Sequence, residues 1–149
     1  MISKINPQVK IGIGVLVFKN GKVLLAKRIG SFGAGEYGGP GGHLEFGESI
    51  IGALRRECQE EAGIEIKNIK FLCLSNIKKY SGRHYIDIGL TAEWKKGKPK
   101  VLELQKCQGW AWYGLNDLPQ PLFVPVKSYL KALKSSQNFF DEEKTHKIS

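Results

Sequence analysis

Cysteine is scarce in this chain: Cys58, Cys73 and Cys107 are the only three in 149 residues. They are odd in number, widely spaced and free of any C-x-x-C pair, which argues against a disulfide framework and against a cysteine zinc site. Cys58 lies where a helix would want an apolar residue, so a small buried hydrophobe is expected there; a Cys–His nucleophilic pair is the alternative. No apolar run approaches membrane-spanning length, since the strongest, IGIGVLVF, is strand-sized. A membrane partner is therefore not expected. The start MISKINPQ lacks the apolar core of a signal peptide, and a cytoplasmic location is the default expectation. Repeats, linkers and low-complexity runs are lacking too.

Acidic residues are the minority, 14 against 23 Lys and Arg, giving a formal net charge of +9 and a pI near 9.5. Such an excess suits an anionic partner, or simply a basic surface. Its densest group is Lys95, Lys96, Lys98 and Lys100, around a Gly97/Pro99 turn. No aromatic–basic RNA-binding signature accompanies it, so a polyphosphate substrate is expected before nucleic acid. With 42% hydrophobic and 25% charged residues, the chain has the make-up of a globular protein. One domain over 1–140 and a flexible tail over 141–149 are expected.

Glycine, by contrast, is plentiful and clustered, seven of the 18 falling between Gly30 and Gly42. Before that loop, Val9 to Phe18 and Lys22 to Arg28 read as strands joined at Asn20-Gly21, a strong hairpin signal. After it, a helix is expected from Ser49 to Ala62, with Ser49 as N-cap and Gly63 as the C-terminal stop. Ile50, Ile51, Leu54, Cys58 and Ala62 make an apolar stripe along it. Ile66 to Ile77, His84 to Trp94 and Gly109 to Tyr113 read as strands, with a turn at Ser81-Gly82, and Val124 to Leu133 reads as a second helix. Strands before, between and after two helices predict a mixed α/β sandwich.

The first helix carries Glu57, Glu60 and Glu61 at i, i+3 and i+4. At roughly 100° per residue these carboxylates share one narrow arc. Like charges so placed destabilise a bare helix and raise one another's pKa, so a counter-charge is wanted. A hard divalent cation is one answer and a solvated acidic face the other.

The stretch Gly42 to Ile64, GHLEFGESIIGALRRECQEEAGI, resembles the Nudix box, G-x5-E-x7-R-E-U-x-E-E-x-G-U with U apolar. Gly42, Glu48, Arg56, Glu57, Glu60, Glu61 and Gly63 fill the fixed positions, and Cys58 and Ile64 the U sites. The resemblance implies a single Nudix hydrolase domain, an α/β/α sandwich with a mixed β-sheet. It implies Mg2+, with Mn2+ as a substitute, on Glu57, Glu60 and Glu61, one of which would help deprotonate the attacking water. Arg56 would restrain a box glutamate or, alternatively, bind phosphate. Glu48 would support the metal shell or the loop, and Gly63 the helix end. Gly41 and Gly42 would let backbone approach metal and phosphates, or form a simple tight turn.

Outside the box, Glu103 lies where relatives place an extra acidic residue facing the metals, though a surface glutamate fits as well. Lys27 and Arg28 could contact phosphate or be a solvated strand end. Tyr37, Phe123 and Val124 could stack on a base or belong to the core. The runs KRIGSFGAGEY, PGGHLEFGES and ELQKCQGWAWYGLNDLP resemble the MutT-like nucleoside triphosphate diphosphatases. That implies metal-dependent hydrolysis of nucleoside triphosphates, modified or deoxy nucleotides among them, to the monophosphate and pyrophosphate. Gly38-Gly39 departs from that group, which usually has larger residues there, so base preference does not carry over. Other nucleoside diphosphate derivatives stay open: Tyr80 hints at dinucleoside polyphosphates, no proline between Ile64 and Lys98 supports ADP-ribose, and the basic surface admits capped RNA. A nucleotide-sensing module with a degenerate site is disfavoured because every box glutamate is present. The family admits a homodimer.

Overall fold

The computed structural model describes residues 7–30 and 32–141. Eight strands and two helices follow in the order β1 (Lys10–Lys19), β2 (Lys22–Arg28), β3 (Tyr37–Gly38), β4 (Gly41–His43), α1 (Ile50–Ala62), β5 (Glu65–Ile77), β6 (Tyr85–Lys96), β7 (Cys107–Gly114), α2 (Val124–Lys134) and β8 (Phe139–Phe140). The expected long elements are all present, with ends shifted by one or two residues. The short strands β3, β4 and β8 were not anticipated, because two or three residues rich in glycine or aromatics show no period. The expected tail is described only at Asp141; 142–149 lie outside the described residues.

Local chemistry explains the boundaries. Asn20 and Gly21 both take positive φ, 52° and 77°, as a two-residue hairpin turn requires. Ser49 caps α1 by accepting the Gly52 N–H at 3.0 Å. Gly63 ends the helix in the left-handed region at φ 68°.

The sheet is mixed. β1 pairs in parallel with β6, which pairs antiparallel with β5. Alternation along β1 builds two cores. Ile13, Val15 and Val17 pack beneath α1 with Leu54 and Cys58. Leu16 faces α2, with Val23, Leu25, Val126 and Tyr129. This is the α/β/α arrangement expected. Ile51 departs from the anticipated stripe: it is 46% exposed, on the flank of α1 turned from the sheet.

One feature positions the site. β2 and β4 lie on the same edge of β1, β2 holding Phe18 and Lys19, and β4 holding Gly12 to Gly14. The sheet therefore forks, and a cleft of about 390 Å³ opens at the fork, lined from both prongs and from α1, β6 and α2.

Candidate active site

One end of the cleft is acidic and is built by α1. Glu57, 5% exposed, and half-buried Glu61 are i,i+4 neighbours on the helix, and both line the cleft. Glu61 Oε1 accepts the Gly41 N–H at 2.8 Å, tying helix to β4. The Trp110 indole N–H donates to the Glu61 carbonyl at 3.1 Å and fixes the same turn against β7. Burial is the main reason both carboxyls are raised, Glu61 to about 8; the nearby charges of Glu57 and Glu103 push Glu61 further.

Arg56 organises the rest. Its guanidinium makes a two-pronged contact with Glu48 at 2.7 and 2.9 Å, and reaches Glu57 at 2.7 Å and Glu60 at 3.2 Å. The hydrogen bond from Arg56 lowers the Glu48 carboxyl. Glu60 is exposed, touches Arg56 and does not line the cleft. Among the described residues, no three His, Cys, Asp or Glu side chains are gathered closely enough to hold a metal as they stand. The chemistry of the pole nevertheless suits a hard cation. Its donors are carboxylate oxygens, buried Glu57 and half-buried Glu61 among them, which repel each other. At Gly42 the close approach is tight: a Cβ would collide with the Glu57 carboxylate. Gly42→Ala is accordingly expected to displace Glu57 and cut kcat/KM at least tenfold, read in a steady-state assay beside a melting curve.

The opposite wall is cationic and aromatic. Arg28, on β2, holds its guanidinium 3.8 Å from the Phe123 ring centre and donates to the Phe32 carbonyl at 3.2 Å. Phe32 stacks on Tyr85 at 5.2 Å, and Tyr85 on His43 at 5.4 Å. Tyr80 closes the group, donating to Glu36 and accepting the Val124 N–H at 2.9 Å. Lys106 lines the cleft while pairing with Glu103 at 3.3 Å, near enough to Glu57 and Glu61 to feel their charge.

The expected residues thus divide. Glu57, Glu61, Gly41, Gly42, Arg28 and Phe123 meet at the cleft. Lys27 does not: it is exposed on the face of β2 opposite Arg28, as the two-residue period of a strand dictates. Tyr37 packs edge-on to Tyr113 beside the α2 core, and Val124 starts α2; neither lines the cleft. Glu103 stands behind Lys106, its charge directed at Glu61. The Gly38 departure is explained too, since a Cβ there would come within 3.3 Å of Phe123 and 3.5 Å of Arg28. Sequence reasoning passed over Phe32, Tyr85, Asp87, Lys106 and Tyr129. An aspartate among apolar residues in HYIDIGL was a usable signal; nothing distinguished Lys106.

The NUDIX domain family model matches residues 9–133. The chain belongs to the Nudix family. Among Nudix proteins, an oxidized purine nucleoside triphosphate hydrolase of Danio rerio is 46% identical over 138 residues, covering 80% of this chain and 83% of that one. A NAD-capped RNA hydrolase NudC of Pseudomonas aeruginosa is 32% identical over 115 residues, 76% of this chain. The match spans only 39% of that NudC's length. The crystal structure of a MutT NUDIX hydrolase from Burkholderia pseudomallei superposes with a TM-score of 0.77 at 32% identity, covering 87% of this chain and 99% of that one.

Proposed function

We propose that this Nudix protein hydrolyses nucleoside triphosphates, modified or deoxy nucleotides among them, to the monophosphate and pyrophosphate. The observation that supports the reading best is the fork itself. It holds buried carboxylates at one pole and Arg28, Lys106 and aromatic rings around the rest, which suits a molecule that is polyanionic at one end and flat at the other. In the reaction one phosphoanhydride P–O bond breaks and water supplies the new P–O bond. The oxidized purine nucleoside triphosphate hydrolase relative points the same way.

Glu57, Glu60 and Glu61 would hold Mg2+ or Mn2+, with the Gly41 backbone and Glu103 in support. When bound, such a cation neutralises phosphate oxygens and acidifies the attacking water. Arg56 would fix the orientation of Glu57 and Glu48. Arg28 and Lys106 would hold phosphate oxygens, and Phe123 would stack on the base. Glu60 must leave Arg56 to join the set, a small motion for an exposed side chain. No helix among the described residues is long and apolar enough to cross a membrane. A cytoplasmic location and a homodimer belong to the same proposal.

A second reading follows from the NudC match: cleavage of another nucleoside diphosphate derivative, such as NAD-capped RNA, a dinucleoside polyphosphate or ADP-ribose. A panel of these substrates and of ribo- and deoxynucleoside triphosphates, assayed for product nucleotide with Mg2+, Mn2+ or chelator, separates the two. Triphosphates are expected to give the highest kcat/KM. Turnover of ADP-ribose or capped RNA alone would reverse the order. Millimolar Mg2+ or Mn2+ is expected to raise the melting temperature by several degrees over chelator, since only the folded chain gathers the carboxylates. An unchanged melting curve would count against a metal site.

A further inference from the structure

On the side of the cleft formed by β6 and α2, Asp87 is a carboxyl that the hydrolysis proposed above does not use. It is 6% exposed and lines the cleft. The Tyr129 hydroxyl donates to its Oδ2 at 2.5 Å. Among the described residues, no hydrogen bond reaches Oδ1. That oxygen leans over the bare face of Gly12, where an added Cβ would meet it at 3.1 Å. Glycines surround the pair: a Cβ at Gly14 or Gly89 would run into the Tyr129 ring. Gly12 thus leaves Oδ1 uncovered, while Gly14 and Gly89 make room for the Tyr129 side chain that holds Oδ2. Oδ1 therefore keeps access to the cleft and has no protein partner of its own, so it is open to a donor that enters there.

Register places Asp87 relative to the acidic pole. Gly12 pairs with Asp87 on one side and with His43 on the other. Neighbouring strands lie about 4.8 Å apart, so Asp87 is roughly 10 Å across the sheet from His43, the residue after Gly42. Glu57 lies against Gly42 on the other face of the sheet, so a nucleoside reaching both groups passes through the fork, its phosphates toward Glu57 and its base toward Asp87. Tyr85, on the same face of β6, lines the cleft beside it and stacks on Phe32.

We infer that the Asp87 carboxyl, oriented by Tyr129, reads the hydrogen-bonding edge of the nucleobase and favours bases carrying an exocyclic amino group over those carrying only carbonyls. The inference rests on the triphosphate reading above. An amino group donates to Oδ1, whereas a carbonyl in its place sets two acceptors against each other and leaves both unpaired.

The test uses substrate pairs in which a carbonyl replaces that group, dCTP with dUTP and dATP with dITP, under steady-state conditions with Mg2+. Wild type is expected to favour the amino member of each pair by about tenfold in kcat/KM, mostly through KM. Asp87→Asn keeps the size and can still accept from Tyr129, but turns an amide N–H toward the base; the preference should vanish or reverse. Equal rates within both pairs in wild type, or a wild-type ratio kept by a folded Asp87→Asn protein, would overturn the inference and leave triphosphate hydrolysis standing. If no triphosphate is turned over, the parent reading falls and takes this one with it. Should the variant not fold, binding of dCMP against dUMP to wild type decides, and equal affinities would overturn the inference.

Discussion

Glu61→Gln is expected to lower kcat/KM by about a thousandfold while leaving the fold intact, the size of loss that follows removal of a group acting directly on transition-state charge. The amide can still accept the Gly41 N–H that Glu61 holds at 2.8 Å, so the β4–α1 junction survives. What disappears is the negative charge. In chelator the variant should even gain stability at pH 8, because a raised carboxyl has been removed. The direction follows from linkage. Folded Glu61 is pushed up to about 8 from a usual value of 4.5, so between those values the folded state binds the extra proton. That contribution is fully present below about 4.5 and is lost as pH rises through 8. Metal-free wild type should therefore melt at lower temperature as pH goes from 5 to 8, and Glu61→Gln should show less of that slope. Activity within tenfold of wild type would remove Glu61 from the proposed metal set. An unchanged slope would say that its charge is not what strains the site.

Arg56→Ala is expected to lower the melting temperature by several degrees at neutral pH, because the buried Glu57 is left without its charged partner. Four carboxylates, Glu45, Glu48, Glu57 and Glu60, lose their counter-charge together, and Glu57 is 5% exposed with few other ways to be neutralised. Two measurements separate restraint from phosphate contact. If Arg56 restrains Glu57 and Glu48, the melting temperature falls in chelator and is partly recovered by Mg2+. If Arg56 contacts phosphate instead, stability holds and KM alone rises. Arg56→Lys should recover little, since an ammonium cannot reproduce the two-pronged contact with Glu48 at 2.7 and 2.9 Å.

The parts of the architecture that could be read in advance share a property: their signals are local. Ser49, Gly63 and Asn20-Gly21 each act on backbone a few residues away, and each does what its residue type predicts. The box is local as well, since one helix and its flanking loop carry nearly all of it. Where the reading went astray, the deciding information was long-range. Lys27 and Arg28 are neighbours in sequence, and only the pairing of β2 with the rest of the sheet tells which of them faces the cleft. Tyr37 and Phe123 looked alike as candidate walls, yet one packs on Tyr113 and the other under Arg28. Glu60 shares a helical arc with Glu57 and Glu61, but the hub at Arg56 draws it outward. The cluster of Phe32, Tyr85 and Phe123 is assembled by the fold from three distant segments.

The fork in the sheet has a consequence for how such a chain can diverge. The carboxylates of α1 meet one prong, through Gly41 and Gly42. The groups proposed to read a base come from β6, α2 and the loop bearing Phe32. The two groups of residues sit on separate elements of the sheet and helices. Substitutions around Asp87, Phe123 or Phe32 can therefore retune the preferred nucleotide without disturbing the hydrolytic end. One scaffold is in this way open to a new diet by changes at a few positions, with its chemistry left alone.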